Sequence, residues 1–280
     1  MEIRYLDLGE VTPEIYTALW EYDNVIDLKE PTFIKFSTIT SYVQFWRGPY
    51  WDKKIQEWKN DYTDLSTFYN SKELAGVPLC RCYIKIELNY GADIAYYIAS
   101  PNGTDFILYV PDSDKNKRKN IDSMFQNTLC ETLGDRNINT KIDGNDVYFE
   151  LNGIYKKFSG SLYRPASNGF GYIDNGITYS FDFELANKLR RITNEINIKK
   201  FEAEDISEVV GGVWEVDSTI DKDEMDLEVI SRMSKKLGLS VREDKLTTEE
   251  ESKLFERGHR RLTEEEWYLY GNNENFEIRY

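Results

Sequence analysis

A chain of 280 residues, 40% apolar and 30% charged, has room for one large core and a smaller appendage, and its 20 Tyr, 14 Phe and 6 Trp exclude a disordered polymer. The formal net charge of −15, with acidic residues concentrated after Phe201, makes nucleic acid a poor partner, because such a surface repels phosphates unless one face is locally basic. The single histidine, His259, sits in the charged run Glu256-Arg257-Gly258-His259-Arg260-Arg261, reads as a surface residue, and disfavours both His-based hydrolases and His-ligated metals.

Thr12-Pro13 opens the first predicted helix: a hydroxyl N-cap is followed by proline at the first helical position, with Ile15, Leu19 and Tyr22 on one face. Extended apolar segments follow at 33–36 and 42–46, then a polar helical stretch at 53–69. Residues 79–88 read as a strand, and 93–100 and 105–110 as two more around the Pro101-Asn102-Gly103 turn. The pattern predicts a solvated loop in the charged run 112–119 and a helix over 120–133 closed by Gly134. After a central hairpin come a strand at 178–183 and a helix at 184–195. Beyond Phe201 three helical pieces are expected, at 224–237 closed by Gly238, at 249–261 and at 264–267. Thr247-Thr248-Glu249-Glu250 and Thr263-Glu264-Glu265-Glu266 fit the capping box, in which hydroxyl and carboxylate satisfy reciprocal backbone donors. The expectation is an α+β protein: a mixed or antiparallel sheet packed with helices over residues 1–200, then a small, mainly helical and acidic domain over 201–280.

Cys80, Cys82 and Cys130 form no metal or redox spacing, since Cys80-Arg81-Cys82 is C-x-C and no second pair completes a site. No N-terminal stretch resembles a signal peptide, and nothing approaches the ~20 apolar residues of a membrane span. The reading is a cytoplasmic protein with reduced thiols and no membrane partner.

The hairpin is the strongest local signal. Residues 145–151, then Asn152-Gly153, then residues 154–158 place two alternating segments around a dipeptide that supplies both positive φ angles of a type I′ turn. A two-residue loop sets Leu151 opposite Ile154, Tyr148 opposite Lys157 and Asp146 opposite Ser159. Asp146, Tyr148, Lys157 and Ser159 then share a face, with Asp146 and Lys157 as diagonal neighbours and Lys156 on the other face. On the hairpin alone this is a cross-strand ion pair worth ~0–1 kcal/mol. Ser159-Gly160-Ser161 ends the strand in small residues that let a ligand approach, and a lysine fixed there suits a phosphate or an activated carboxylate.

Asn145-Asp146, then Lys156-Lys157-Phe158-Ser159-Gly160-Ser161-Leu162-Tyr163-Arg164, then Asp174-Asn175-Gly176-Ile177-Thr178 form a series that resembles the lipoate–protein ligases of the biotin and lipoate ligase superfamily. That family carries Asn-Asp, Gly-Lys-Lys-apolar-Ser-Gly-Ser-Ala, an aromatic and basic pair, and a later Gly-Thr. Leu246 to Glu250 with Glu266-Trp267-Tyr268 resembles the family's accessory-domain helices, so the likeness spans nearly the whole chain, though it is specific only over 145–183. The resemblance implies a biotin/lipoate-ligase-type catalytic domain that joins lipoate to ATP as lipoyl-adenylate, with Mg²⁺ on the phosphates. The acyl group then passes to a lysine of a lipoyl-carrier protein. It makes Lys157, not Lys156, the catalytic lysine, acting through its charge, with Asp146 orienting it or the acceptor amine. Asn145, Ser159, Gly160, Gly176, Thr178 and Arg81 become ligand-binding candidates, joined by Lys85 and by Arg47 of Trp46-Arg47-Gly48-Pro49 as anion contacts.

One stretch departs from the family. Its glycine-rich Arg-Arg-x-x-Gly-Gly-Gly-x-x-x-His is here Arg81-Cys82-Tyr83-Ile84-Lys85-Ile86-Glu87-Leu88-Asn89-Tyr90-Gly91. Glycines admit a ligand close to the backbone, so their loss reshapes the pocket and leaves a second expectation: a homologue without adenylation that binds a carrier protein or a partner subunit. A related branch transfers octanoyl groups through a cysteine. It is disfavoured, because residues 135–144 contain none, none follows Cys130, and Cys130 itself reads as core.

Overall fold

The computed structural model describes residues 2–20, 30–47, 50–52, 57–59, 66–83, 94–111, 115–165, 170–195, 205–263 and 268–270. The first half contains β1 (Glu2–Val11), α1 (Pro13–Trp20), β2 (Thr32–Thr38), β3 (Tyr42–Arg47), β4 (Tyr50–Asp52), β5 (Glu57–Lys59), α2 (Ser66–Tyr69), β6 (Pro78–Tyr83), β7 (Ile94–Ala99) and β8 (Gly103–Pro111). Then come α3 (Lys115–Gly134), β9 (Thr140–Asp143), β10 (Asp146–Leu151), β11 (Ile154–Pro165), β12 (Phe170–Thr178) and α4 (Phe183–Glu195). The chain closes with α5 (Lys222–Lys236), β13 (Ser240–Asp244), α6 (Thr248–Thr263) and β14 (Tyr268–Tyr270).

The large sheet has the strand order β13-β1-β2-β8-β12-β11-β10-β9 and a smaller one the order β14-β6-β3-β7, while β4 and β5 pair alone. In the large sheet β1 runs parallel to both β13 and β2, and the remaining pairs are antiparallel. Strand β8 explains the layering. Phe106, Leu108 and Val110 enter one core and Ile107 and Tyr109 the other, so the strand is apolar on both faces because both are covered. Under one face, Phe33, Val147, Phe149, Phe158, Ile173 and Ile177 pack against Phe125, Leu129 and Leu133 of α3 and Met225, Val229 and Met233 of α5. Over the other, at the β1–β2–β8 end, lie Tyr16 and Leu19 of α1, Tyr42 and Ala99 of the small sheet, and Leu254 of α6. A third cluster joins Val43, Phe45 and Leu79 to Phe68 and to Leu185, Leu189 and Ile192 of α4.

The segment expected to form the accessory domain contributes to this architecture directly. Strand β13 extends the edge at β1, α5 supplies core side chains, and Leu254 of α6 joins the core at α1. Arg4 ties them together, with its guanidinium 2.9 Å from Asp244, 2.5 Å from Glu250 and 2.7 Å from the Lys245 carbonyl oxygen. Glu250 also completes the expected capping box: the Thr247 amide donates to its carboxylate at 2.7 Å and its own amide donates to the Thr247 hydroxyl at 3.2 Å. The expected boundary near Phe201 and the short helix at 264–267 lie outside the described residues.

Three expectations are corrected. Within 53–69, Glu57–Lys59 is a strand opposite Tyr50–Asp52, and Ser66–Tyr69 alone is helical among the described residues. The strand expected at 178–183 ends at Thr178, because β12 draws its partners from β8 and β11 and these run only to that point. Residues 115–119 belong to α3: a run rich in Lys and Arg is a good helix former. The sequence pattern does not mark strands β1 and β13; Ser240–Asp244 is an exposed edge whose charges hide any alternation.

Candidate active site

Asn152 and Gly153 have φ of +53° and +81°, as the type I′ turn requires. From that turn the register runs as expected through Leu151↔Ile154 and Tyr148↔Lys157, then shifts by one. Val147 faces Ser159 and Asp146 faces Gly160, so the expected pairing of Asp146 with Ser159 is corrected. A bulge at Phe158 is the cause: the ring turns into the core, 5.6 Å from Phe149, and the strand spends one extra residue doing so. Ser159 follows it onto the core face opposite Val147 and Ile177 and is 3% exposed, away from the ligand-binding position expected of it.

The bulge leaves the ion pair intact. Lys157 Nζ lies 2.7 Å from Asp146 Oδ1, with the two side chains 41% and 32% exposed. A second chain segment holds the lysine's backbone. The Lys157 amide donates to the Val209 carbonyl and the Gly211 amide to the Lys157 carbonyl, both at 2.9 Å, so residues 209–211 continue the sheet where β12 has ended. Only glycine fits there: a Cβ on Gly212 would stand 2.3 Å from the Tyr179 carbonyl oxygen, and one on Gly211 2.8 Å from the Phe149 ring. Lys156 pairs instead with Glu215 of this segment at 2.7 Å.

Directly paired residues share a face, and one lateral row across four strands explains the site. Asp105 of β8 faces Gly176 of β12, Gly176 faces Gly160 of β11, and Gly160 faces Asp146 of β10. Two adjacent glycines therefore lie side by side, and the acidic side chains of the flanking strands reach over them. Above Gly160, the space of a Cβ is bordered by Asp146 Oδ1 at 3.2 Å and Lys157 Nζ at 3.5 Å. Above Gly176 it is bordered by Asp105 Oδ1 at 2.8 Å and the Tyr97 hydroxyl at 3.4 Å.

The sequence pattern marks Asp105 only as the first residue of a strand. Its carboxylate accepts hydrogen bonds from Tyr16 of α1 and, at 3.4 Å, from Tyr97 of β7. It is 3% exposed, and burial raises its pKa to about 7. Burial likewise holds the Tyr16 and Tyr97 phenols well above their ordinary range, so both remain donors. No local pattern could have found this group, since its members come from an early helix and two different sheets.

The remaining expected site residues scatter. Thr178 lies on the face of Gly176, two residues along β12 and opposite Gly103. Asn145 is exposed in the turn before β10, where its carbonyl accepts from the Ser161 amide at 2.8 Å. Arg47 ends β3 opposite Tyr83, and Arg81 lies on β6 opposite Phe45. Lys85 lies outside the described residues. Cys130 packs against the core beneath the large sheet, and burial pushes its thiol up, opposite to what a nucleophile needs. No group of three metal-ligating side chains occurs among the described residues, and none of their helices is long and apolar enough to cross a membrane.

The fold has counterparts among solved structures. A bi-partite lipoate protein ligase from Thermoplasma acidophilum, studied with its E2 lipoyl domain, superposes with a TM-score of 0.67 at 18% identity, covering 98% of this chain and 99% of that one. The fold is that of the lipoate–protein ligases. A lipoate-protein ligase A bound with ATP gives a TM-score of 0.62 at 18% identity over 95% of this chain and 98% of its own. A T. acidophilum putative lipoate protein ligase with bound lipoic acid gives 0.59, again at 18% identity, over 91% and 94%. No protein-family profile matches the sequence, and no curated protein is similar to it at a significant level.

Proposed function

We propose that the chain is a lipoate–protein ligase-like enzyme that activates lipoate or a related acyl acid with ATP and transfers it, through the acyl-adenylate, to a lysine of a carrier domain. The observation that carries this reading is the Lys157–Asp146 pair standing over Gly160 in a chain with the ligase fold. Lys157 supplies a fixed positive charge to the carboxylate and α-phosphate oxygens, where negative charge grows during adenylation. Asp146 holds the ammonium in place and is positioned to orient the incoming amine. Gly160 and Gly176 let the acid lie against the backbone between the flanking side chains. Among the described residues Asp146 is the carboxylate paired with Lys157, so Mg²⁺ would be held chiefly by the nucleotide's phosphates, in keeping with its usual retention of water and phosphate ligands. The neighbour studied with its E2 lipoyl domain supports a carrier domain as acceptor.

The substitutions between Arg81 and Gly91 favour a second reading, a homologue that has lost adenylation and serves as a binding subunit. Calorimetric titration with ATP and lipoate, followed by pyrophosphate release, separates the two. Binding of both with pyrophosphate release is expected; binding of neither ligand would overturn the enzyme reading.

A further inference from the structure

The backbone of Lys157 sits at a break in two ladders. Towards β10 the register shifts just beyond its pairing with Tyr148. Towards β12 the pairing of β11 begins, among the described residues, only at Ser159 opposite Ile177. The lysine takes its second neighbour from elsewhere: its amide donates to the Val209 carbonyl and its carbonyl accepts from the Gly211 amide, both at 2.9 Å. Two hydrogen bonds to a short segment anchor a strand only where that segment is itself held. Glu215 holds this one. Its Oε1 accepts from the Gly212 amide at 2.8 Å, and its Oε2 accepts from Lys156 Nζ at 2.7 Å, on the residue next to Lys157 in β11. The carboxylate also closes over Gly211, where a Cβ would stand 2.6 Å from Oε1 and 3.1 Å from Lys156 Cδ. A glutamate at this place in a turn ordinarily caps only its own backbone. Here it also bridges to the strand that carries the lysine. Beyond it the segment is rooted in the core through Val213, 1% exposed, and through the Trp214 amide, which donates to the Tyr179 carbonyl at 3.0 Å.

We infer that Glu215 is a positioning residue for Lys157: it clamps the 209–212 segment to β11 and so fixes the lysine's backbone relative to Asp146. The inference deepens the proposed function and rests on it for the reaction that Lys157 serves. A lysine side chain is long and flexible, and Asp146 restrains only its tip. The other end of the lever is the backbone that Glu215 secures. Misplacing a reacting group by ~1 Å can cost about 10²-fold in rate, so a carboxylate that touches neither the acid nor the nucleotide still governs turnover. The arm that matters is the one to Gly212, because it reaches the segment directly, whereas the arm to Lys156 ends on a side chain.

The test joins two measurements on the full-length protein, made in Glu215→Ala and in Glu215→Gln, which keeps an oxygen for the Gly212 amide and loses the charge facing Lys156. Hydrogen exchange of the Lys157 and Gly211 amides, followed by NMR, should quicken at least about tenfold in the alanine variant and stay near wild type in the glutamine variant. The Leu129 and Leu133 amides of α3 should be unchanged in both. In ATP–pyrophosphate exchange driven by lipoate, Glu215→Ala should lower kcat at least about tenfold with both KM values within about twofold of wild type, as a misplaced charge does and a lost binding contact does not. Glu215→Gln should restore kcat. Unchanged exchange of the Lys157 amide in Glu215→Ala, equal quickening of the α3 amides, full kcat despite the quickening, or equal losses in the two variants would overturn the inference. Failure of the enzyme reading is seen separately, as absent pyrophosphate exchange in the wild type; the amide measurements then decide by themselves whether Glu215 fixes Lys157.

Discussion

The two acidic walls of the glycine floor are built in opposite ways. At one, Asp146 and Lys157 form an ion pair at 2.7 Å that is about one-third to two-fifths exposed, on a hairpin whose turn and strands are local in sequence. At the other, Asp105 is buried with two phenols that arrive from α1 and β7. The first wall keeps a paired but partly exposed charge available for a reacting group; the second pre-forms an acceptor in a dry setting at a large desolvation cost.

The contrast can be broken from either side. The largest expected effect lies behind the lysine wall. In Gly212→Ala the new methyl would meet the Tyr179 carbonyl oxygen, so the segment pairing with Lys157 must move. Such overpacking should lower unfolding stability by ~1–3 kcal/mol, read from the denaturant midpoint at unchanged m-value. An unaltered midpoint would mean that residues 209–212 do not brace the lysine strand.

The buried wall should reveal itself in the pH dependence of stability. Burial raises Asp105 to about 7 from 3.8 and Asp226, held by the Tyr179 and Thr104 hydroxyls, to about 6. A folded state that binds protons more tightly than the unfolded chain is favoured at low pH. The contribution of these two acids is complete below pH ~4 and is lost as pH rises through 6 to 7. Glu250 has the opposite sign: its hydrogen bonds from Arg4 hold it at about 2, so its contribution is present above pH ~4.5 and is lost as pH falls toward 2. Asp105→Asn should therefore gain melting temperature relative to wild type between pH 5 and 8. A difference between the two proteins that does not vary with pH would show that Asp105 titrates normally.

The same contrast explains what the sequence could and could not reveal. The Asn152-Gly153 turn and the facing of Tyr148 and Lys157 follow from backbone rules acting over a few residues, and they were legible. The register beyond Phe158 was not, because whether a strand bulges depends on whether a ring fits the core, here beside Phe149. Ser159 was misplaced for that reason alone. The edge strand β13 stayed hidden because exposed strands carry no alternation, and Asp105 because no spacing rule links residues 16, 97 and 105. Helices with strong amphipathic faces, such as α4 and α6, were found near their observed limits.

The central claim is that Lys157, not its neighbour, faces the reacting acid. ATP–pyrophosphate exchange driven by a bound carboxylic acid, measured in Lys157→Ala and Lys156→Ala side by side, tests it most directly. Loss of one charged donor to the developing charge predicts a fall of ~10²–10³-fold in Lys157→Ala. Lys156→Ala, which removes only the contact with Glu215, should stay near the wild-type rate. Equal losses in the two variants, or full exchange in Lys157→Ala, would contradict the account.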